Sequence, residues 1–323
     1  MKAIRFSTTG GPEVLDYVDV DLPPPGQGQA RVRHTVVGVN FIDTYHRCGL
    51  YPVPLPSGLG LEAAGVVDAL GENVFGLKVG DRVGYGTGPI GAYAEANNVP
   101  ADRVVKLPAG VSDEVAAAAM LKGMTAEYLL RRTFPVQRGQ TIVFHSAAGG
   151  VGLIGCQWAK YLGATVIGTV GSDDKVELAR SHGCDHVLNT RKDDWAKRVR
   201  EITGGAGVPV VYDSVGKETW NGSLDCLAVR GLMVSFGNSS GAVPPFEPGV
   251  LSAKGSLYLT RPTLFHYTRT REELQQTADD LFGAIVSGAV KIAINQRFRL
   301  GDARAAHEAL HSRATTGATV LLP

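Results

Sequence analysis

Through roughly the first 120 residues, polar and apolar positions alternate in short runs. Ala30-Arg31-Val32-Arg33-His34-Thr35-Val36-Val37 alternates and then turns apolar, and Ala64-Gly65-Val66-Val67-Asp68-Ala69 is a second strand of the same length class. Gly80-Asp81-Arg82-Val83-Gly84 reads as a turn feeding another strand. Turn residues punctuate these runs closely: Gly10-Gly11-Pro12, Pro23-Pro24-Pro25-Gly26, Pro52, Pro54, Pro56 and Gly58. A two-residue period broken this often predicts a small twisted barrel or sandwich.

The pattern changes near residue 112. Ser112-Asp113-Glu114 supplies an N-cap for an alanine-rich helix over residues 115–120, which ends at Lys122-Gly123. Beyond it, strands at 141–144, 165–170, 186–188, 208–212 and 232–236 alternate with helices at 151–162, 174–181, 195–203 and 220–227. Such βαβ repetition predicts an α/β fold, a doubly wound parallel sheet with helices on both faces. The tail reads helix 270–286, strand 291–298, helix 301–311 and strand 319–322. No internal repeat is visible.

One turn carries most of the chemistry. The strand Thr141-Ile142-Val143-Phe144 runs into Ser146-Ala147-Ala148-Gly149-Gly150-Val151-Gly152-Leu153-Ile154-Gly155. Gly150-x-Gly152-x-x-Gly155 alone is a weak signal. Between a strand and a helix, with a second strand about 15 residues later, it is the setting a dinucleotide fingerprint requires. A pyrophosphate lies against backbone N–H groups at the helix N-terminus, and a Cβ there would hold it off. The end of the second strand decides between NAD and NADP. An NAD site wants a carboxylate there for the ribose 2′-hydroxyl, and this chain has Val170 followed by Gly171-Ser172-Asp173-Asp174-Lys175. Ser172 and Lys175 suit a 2′-phosphate, which favours NADPH. Asp173 or Asp174 becomes the ribose ligand if the strand ends later.

Composition narrows the picture. At 323 residues the chain is long enough for about two domains. Its 32 basic and 31 acidic side chains leave a formal charge of +1, which argues against nucleic acid as the main partner. Glycine is unusually frequent, 41 residues without a collagen period, so it serves turns and close approaches. Cys48, Cys156, Cys184 and Cys226 form no C-x-x-C pair. They read as free buried thiols of a reducing compartment. With no apolar run near the ~18 residues of a membrane span, this predicts a cytoplasmic protein with no membrane partner.

The motifs together carry a family resemblance. Asn40-Phe41-Ile42-Asp43-Thr44-Tyr45, Pro56-Ser57-Gly58-Leu59-Gly60-Leu61-Glu62-Ala63-Ala64-Gly65 and Gly80-Asp81-Arg82-Val83 resemble the medium-chain dehydrogenase/reductase superfamily. Ala147-Ala148-Gly149-Gly150-Val151-Gly152, Val211-Tyr212-Asp213-Ser214-Val215-Gly216, Gly237-Asn238-Ser239-Ser240-Gly241 and Ser312-Arg313-Ala314-Thr315-Thr316-Gly317 narrow it to its zinc-free, zeta-crystallin-type NADPH:quinone oxidoreductases. The resemblance spans the chain. It implies a chaperonin-10-like (GroES-like) catalytic barrel from residues 1–124 and 267–323, and a Rossmann NADPH-binding domain over 125–266. It further implies a homodimer paired along the strand near residues 256–260, and a quinone reduced in the interdomain cleft. The superfamily's zinc enzymes carry cysteine at the place of Asn40 and Gly-His-Glu at the place of Gly60-Leu61-Glu62. Leucine ligates no zinc and asparagine is a poor ligand, so no metal is expected.

Carried over position by position, the resemblance implies that Phe41, Ile42, Thr44 and Tyr128 line the nicotinamide. Gly149, Gly150 and Val151 would cradle the pyrophosphate, and Gly171, Ser172 and Lys175 the 2′-phosphate. Phe236, Asn238, Ser239, Arg261, Pro262 and Leu264 would flank nicotinamide and ribose, with Arg313 from the tail. Thr190 stands where close relatives have tyrosine, with Arg191 beside it as a possible substitute contact. Asn40, Tyr45 and Tyr51 would be the catalytic, quinone-binding residues, with Lys122 and Arg261 as outer polar groups. Tyr45 either donates a hydrogen bond to the quinol oxygen or is simply a packed ring. Other readings of the same chain are an NADPH-dependent enone or alkenal reductase, and a structural or RNA-binding crystallin-like protein.

Overall fold

The computed structural model describes residues 1–323. The chain forms two compact units. The first comprises residues 1–124, 268–286 and 292–323; the second comprises 125–267 and 287–291.

The first unit is built on the strand Gln29–Val39, which pairs antiparallel with Ala63–Leu70, Ala96–Pro100 and Ala318–Leu322. One strand with three partners must bend, and its register against Ala63–Leu70 shifts twice, after Arg31 and after His34. Arg82–Tyr85, Val105–Lys106 and Ile294–Arg299 extend the sheet to seven strands. A second sheet joins Asp16–Asp19, Lys2–Phe6 and Ser57–Gly58. The alternation read in the sequence is the burial pattern: Ala30, Val32 and His34 are buried while Arg33 and Thr35 are exposed. The core enclosed contains Ile4, Phe6, Val32, Val67, Tyr85, Tyr93 and Leu321.

The second unit is a six-stranded parallel sheet. Its strand order is His186–Asn189, Thr165–Val170, Thr141–Phe144, Val208–Asp213, Leu227–Ser235, Tyr258–Thr260. In chain order this is 3-2-1-4-5-6, the Rossmann arrangement, whose ligands bind beyond the carboxyl ends of strands one and four, where the order reverses. Here those ends are Phe144 and Asp213. Both strands are nearly all apolar and buried, as a sheet covered on both faces requires.

Three expectations need correction. The alanine-rich helix does not stop at Gly123 but runs Asp113–Tyr128. Gly123 is not a terminator: a Cβ there would stand 2.4 Å from Leu281 Cδ1, so glycine permits the close approach of the helix Arg271–Val286. Lys122 is therefore mid-helix. The strand placed at 291–298 is Ile294–Arg299. Of the four cysteines, Cys48 is exposed, at the C-cap of the helix Phe41–Arg47, and only the other three are buried.

Candidate active site

The candidate residues fall into two groups, one in each unit. In the second unit, Gly149 caps the helix Gly150–Tyr161 and offers it no side-chain hydrogen bond, so the first-turn N–H groups of Gly150 and Val151 stay available to an anion. The remaining glycines of the motif have another task. A Cβ on Gly152 would lie 2.1 Å from Ser146 O, and one on Gly155 would lie 2.7 Å from the Phe144 ring. They let the helix lie close on its own strand and leave ligand contact to the first positions.

At the end of the second strand, Gly171 faces open space where a Cβ would be. Ser172 precedes a single 3₁₀ turn, Asp173–Lys175, and both Ser172 and Lys175 are half-buried. Asp173 is engaged elsewhere: its carboxylate accepts from Asn189 Nδ2 at 2.6 Å and from Lys192. The Lys192 and Asn189 hydrogen bonds hold that carboxyl below the usual range. Asp174 stays exposed. Thr190 donates to Val170 O at 3.3 Å, and the Arg191 N–H donates to Asn189 Oδ1.

A second loop follows Asp213. The buried carboxylate accepts from the N–H groups of Val215 and Gly216 through Oδ1, at 2.7 and 3.0 Å. Its Oδ2 accepts from Thr219 and Ser223 hydroxyls, both at 2.7 Å. Because Ser223 spends its proton on Asp213, His145 Nε2 must donate to Ser223 Oγ (2.9 Å), and Nδ1 then accepts from Thr169 (2.7 Å). Burial lowers the His145 pKa, so this Ser-His-Asp grouping holds a neutral imidazole in a closed scaffold. Ser214 O accepts from Ser239 N (3.1 Å), tying the Asp213 loop to residues 237–239. Arg261 Nη1 donates to Ser235 O, Ser235 Oγ and Gly237 O. With its amide oriented by its partners, Asn238 accepts from Arg261 Nη2 at 3.0 Å. Phe236 packs edge-on against Phe144, ring centres 6.0 Å apart. Pro262 is half-buried and Leu264 buried. Tyr128 is stacked flat on Tyr267 at 4.4 Å, a rigid aromatic wall.

In the first unit the candidates cluster on the helix Phe41–Arg47, with Asn40 as its N-cap. Phe41 is exposed, Ile42 half-buried, and Thr44 buried with its hydroxyl donated to Phe41 O (2.7 Å). Tyr45 and Tyr51 meet edge-to-face at 5.2 Å, held by the bond from Tyr51 N to Tyr45 O. Arg313 sits at a left-handed turn (φ 58°) beyond the helix Ala303–His311.

Two buried acids near Asn40 were not singled out by the sequence. Glu62 is wholly buried; its Oε2 accepts from Asn40 Nδ2 and Lys122 Nζ, each at 2.8 Å, and its Oε1 from Leu121 N at 2.6 Å. Asp43 Oδ2 accepts from Asn40 N (2.8 Å) and the Tyr93 hydroxyl (3.0 Å). Behind Tyr93 stand His307 and Arg47. Arg47 can only donate, so His307 Nδ1 accepts from it (3.0 Å), and Nε2–H donates to the Tyr93 oxygen (3.1 Å). The chain of donors ends on Asp43, whose Oδ1 is buried without a partner. Burial raises the Asp43 carboxyl to about 7.

A Rossmann sheet with a glycine-turn helix and, in the same chain, a bent antiparallel barrel unit define a nucleotide-dependent enzyme of the medium-chain dehydrogenase/reductase class. Residues 26–109 match the alcohol dehydrogenase GroES-like domain family, and residues 150–283 match the zinc-binding dehydrogenase family. The chain is 56% identical to a Pseudomonas aeruginosa quinone oxidoreductase, covering 100% of this chain and 99% of that protein. It is 45% identical to a Burkholderia 2-haloacrylate reductase, over 97% of this chain and 96% of the other. The crystal structure of Escherichia coli quinone oxidoreductase complexed with NADPH superposes with a TM-score of 0.99 at 52% identity, covering 100% of both chains. The chain belongs to the quinone oxidoreductase family.

The zinc named in one family description does not fit the donors present. Asn40 and Lys122 both present N–H groups to Glu62, Leu61 is apolar, and no three His, Cys, Asp or Glu side chains stand together. NADPH does fit: an uncapped helix start, an open glycine, and a serine and lysine where the neighbouring carboxylate of Asp173 is already bonded to Asn189 and Lys192.

Proposed function

We propose that this protein is an NADPH:quinone oxidoreductase whose cofactor is held chiefly by the loops beyond Phe144, Val170 and Asp213. The observation that carries the reading is full-length similarity, TM-score 0.99 at 52% identity, to a quinone oxidoreductase complexed with NADPH. When bound, NADPH supplies a hydride from nicotinamide C4. The residues of this chain do the rest. Gly150 and Val151 receive the pyrophosphate on backbone N–H groups, and Gly149, the N-cap without a side chain, leaves room for it. Gly171 leaves room for the 2′-phosphate, which Ser172 and Lys175 bind by hydrogen bond and charge. Tyr128, Phe236, Asn238, Ser239, Arg261, Pro262 and Leu264 orient the nicotinamide and its ribose; Phe41, Ile42, Thr44 and Arg313 are the first unit's cofactor contacts. Asn40, Tyr45 and Tyr51 take the quinone, Tyr45 donating its hydroxyl to the reduced oxygen.

The protein acts as a cytoplasmic homodimer in this reading. Tyr258–Thr260 is an edge strand with Tyr258 exposed, and such an edge has backbone groups to offer a second copy. No helix is long and apolar enough to cross a membrane.

A second reading, reduction of an activated carbon–carbon double bond, draws on the similarity to the 2-haloacrylate reductase. Titration with NADPH and NADH by fluorescence quenching, then oxidation of the bound nucleotide by 1,4-benzoquinone or by an alkenal panel, separates the two. Tighter NADPH binding with faster quinone turnover is expected. Lys175→Ala then loses about tenfold in NADPH affinity, ~1.4 kcal/mol, with NADH unchanged. Faster turnover of alkenals overturns the quinone reading, and preference for NADH overturns the phosphate site.

A further inference from the structure

We propose that Lys122 is a catalytic electrophile, pinned by Glu62 beside the Asn40 amide, which stabilises the negative charge that develops on the quinone oxygen. The inference rests on the quinone reductase reading and adds to it the group that polarises the substrate.

Lys122 sits in mid-helix among Ala116, Ala117, Ala118, Ala119 and Met120, all at zero exposure, and is itself only 5% exposed. Its partner Glu62 is at 0%. Desolvating two charges costs about as much as their attraction returns, and an apolar pair of the same volume serves a fold as well or better. Stability therefore gives no reason for a lysine at this position. The barrel also makes room for the pair. A Cβ on Gly38 would lie 2.2 Å from both Glu62 Oε2 and Ala117 O.

The geometry does give a reason. Lys122 Nζ and Asn40 Nδ2 share one acceptor, Glu62 Oε2, each at 2.8 Å. Two donors on one oxygen are themselves neighbours. Glu62 accepts one of the three ammonium N–H bonds and one of the two amide N–H bonds. The others remain on the Lys122 ammonium and on the amide of Asn40, the residue already assigned to the quinone. Such a preorganised pair of donors, one of them cationic, is what an oxyanion requires where no metal ion can be held.

The step balances without another reactant. The hydride adds two electrons and one hydrogen to the quinone, and the opposite oxygen takes the negative charge. Lys122 donates a hydrogen bond to that oxygen and keeps its proton. Water supplies the proton that completes the hydroquinone.

The test compares wild type with Lys122→Gln, which keeps a donor to Glu62 without the charge, and with the neutral double variant Glu62→Gln/Lys122→Met. Each is assayed for NADPH affinity by fluorescence and for kcat across 1,4-benzoquinones of graded electron demand. The expected result is NADPH affinity within about twofold of wild type and kcat lower by roughly 10- to 100-fold, with the largest loss on electron-rich quinones. A structural role would not make the loss depend on the ring substituents. Folded, NADPH-binding variants with wild-type kcat on every quinone overturn the proposal and leave the function standing. A wild-type protein that binds NADPH and reduces no quinone overturns the function itself, and the proposal with it.

Discussion

Two buried polar networks of this protein invite comparison. Around Asp213 every partner is met: four donors converge on the carboxylate, and His145 is bonded through both nitrogens. Around Asn40 the accounts differ. Glu62 accepts from three donors and both its oxygens are met, while Asp43 keeps one buried oxygen with no partner. A closed network in a low-dielectric interior is rigid. It suits the Asp213 loop, which is proposed to hold its shape beside a cofactor. A network with an open acceptor or spare donors retains chemistry to offer, and it lies under the residues proposed for the substrate.

The largest effect expected is from breaking the closed network. Asp213→Ala leaves Val215 and Gly216 N–H groups and two hydroxyls without their acceptor, and should cost about 4 kcal/mol or more in urea unfolding. NADPH affinity should fall with it. A loss under about 1 kcal/mol would mean that the carboxylate is dispensable and the comparison misplaced.

Next comes the pH response of the open one. Asp43 faces Asn40 N, the Tyr93 hydroxyl and the nearby charges of Lys122 and Glu62. Its carboxyl is raised from 3.8 to about 7, chiefly by burial. Between those values the unfolded chain has lost the proton and the fold keeps it, so stability falls as pH rises through this window and falls no further above about 7. Asp43→Asn removes the effect. Relative to wild type it should gain about 3 kcal/mol on going from pH 5 to pH 8, measured by denaturant midpoints at both. Parallel curves for the two proteins would show that Asp43 is ionised in the fold throughout.

A smaller change should reach Glu62 through its packing. Gly38→Ala forces a methyl against Glu62 Oε2 and Ala117 O, with an expected cost of about 2 kcal/mol. Quinone turnover should drop more than NADPH affinity, since Glu62 holds the Asn40 amide proposed for the quinone.

The extent to which the sequence foretold all this follows range. The glycine turn was legible because a strand, a Gly-rich turn and a helix lie within fifteen residues of one another. Its cofactor preference was legible for the same reason, although only the structure removed Asp173 by giving it to Asn189 and Lys192. Lys122 was misplaced at a helix end because Gly123 looks like a terminator until Leu281 is seen against it. Glu62 finds Asn40 and Lys122 across 22 and 60 residues. Tyr93 reaches Asp43 across 50 residues and His307 across 214. No periodicity or spacing rule connects such positions.

By itself the sequence determined the alternating barrel strands, the βαβ order of the sheet and the glycine turn to which the dinucleotide is assigned. Those depend on local preferences: side-chain period, turn residues, and the freedom of glycine to let backbone come close. The tertiary structure alone decided which buried charges meet, which donors remain unspent and which acid burial raises toward neutral pH. Those depend on desolvation and on contacts between segments far apart in the chain, and neither quantity exists until the chain has folded.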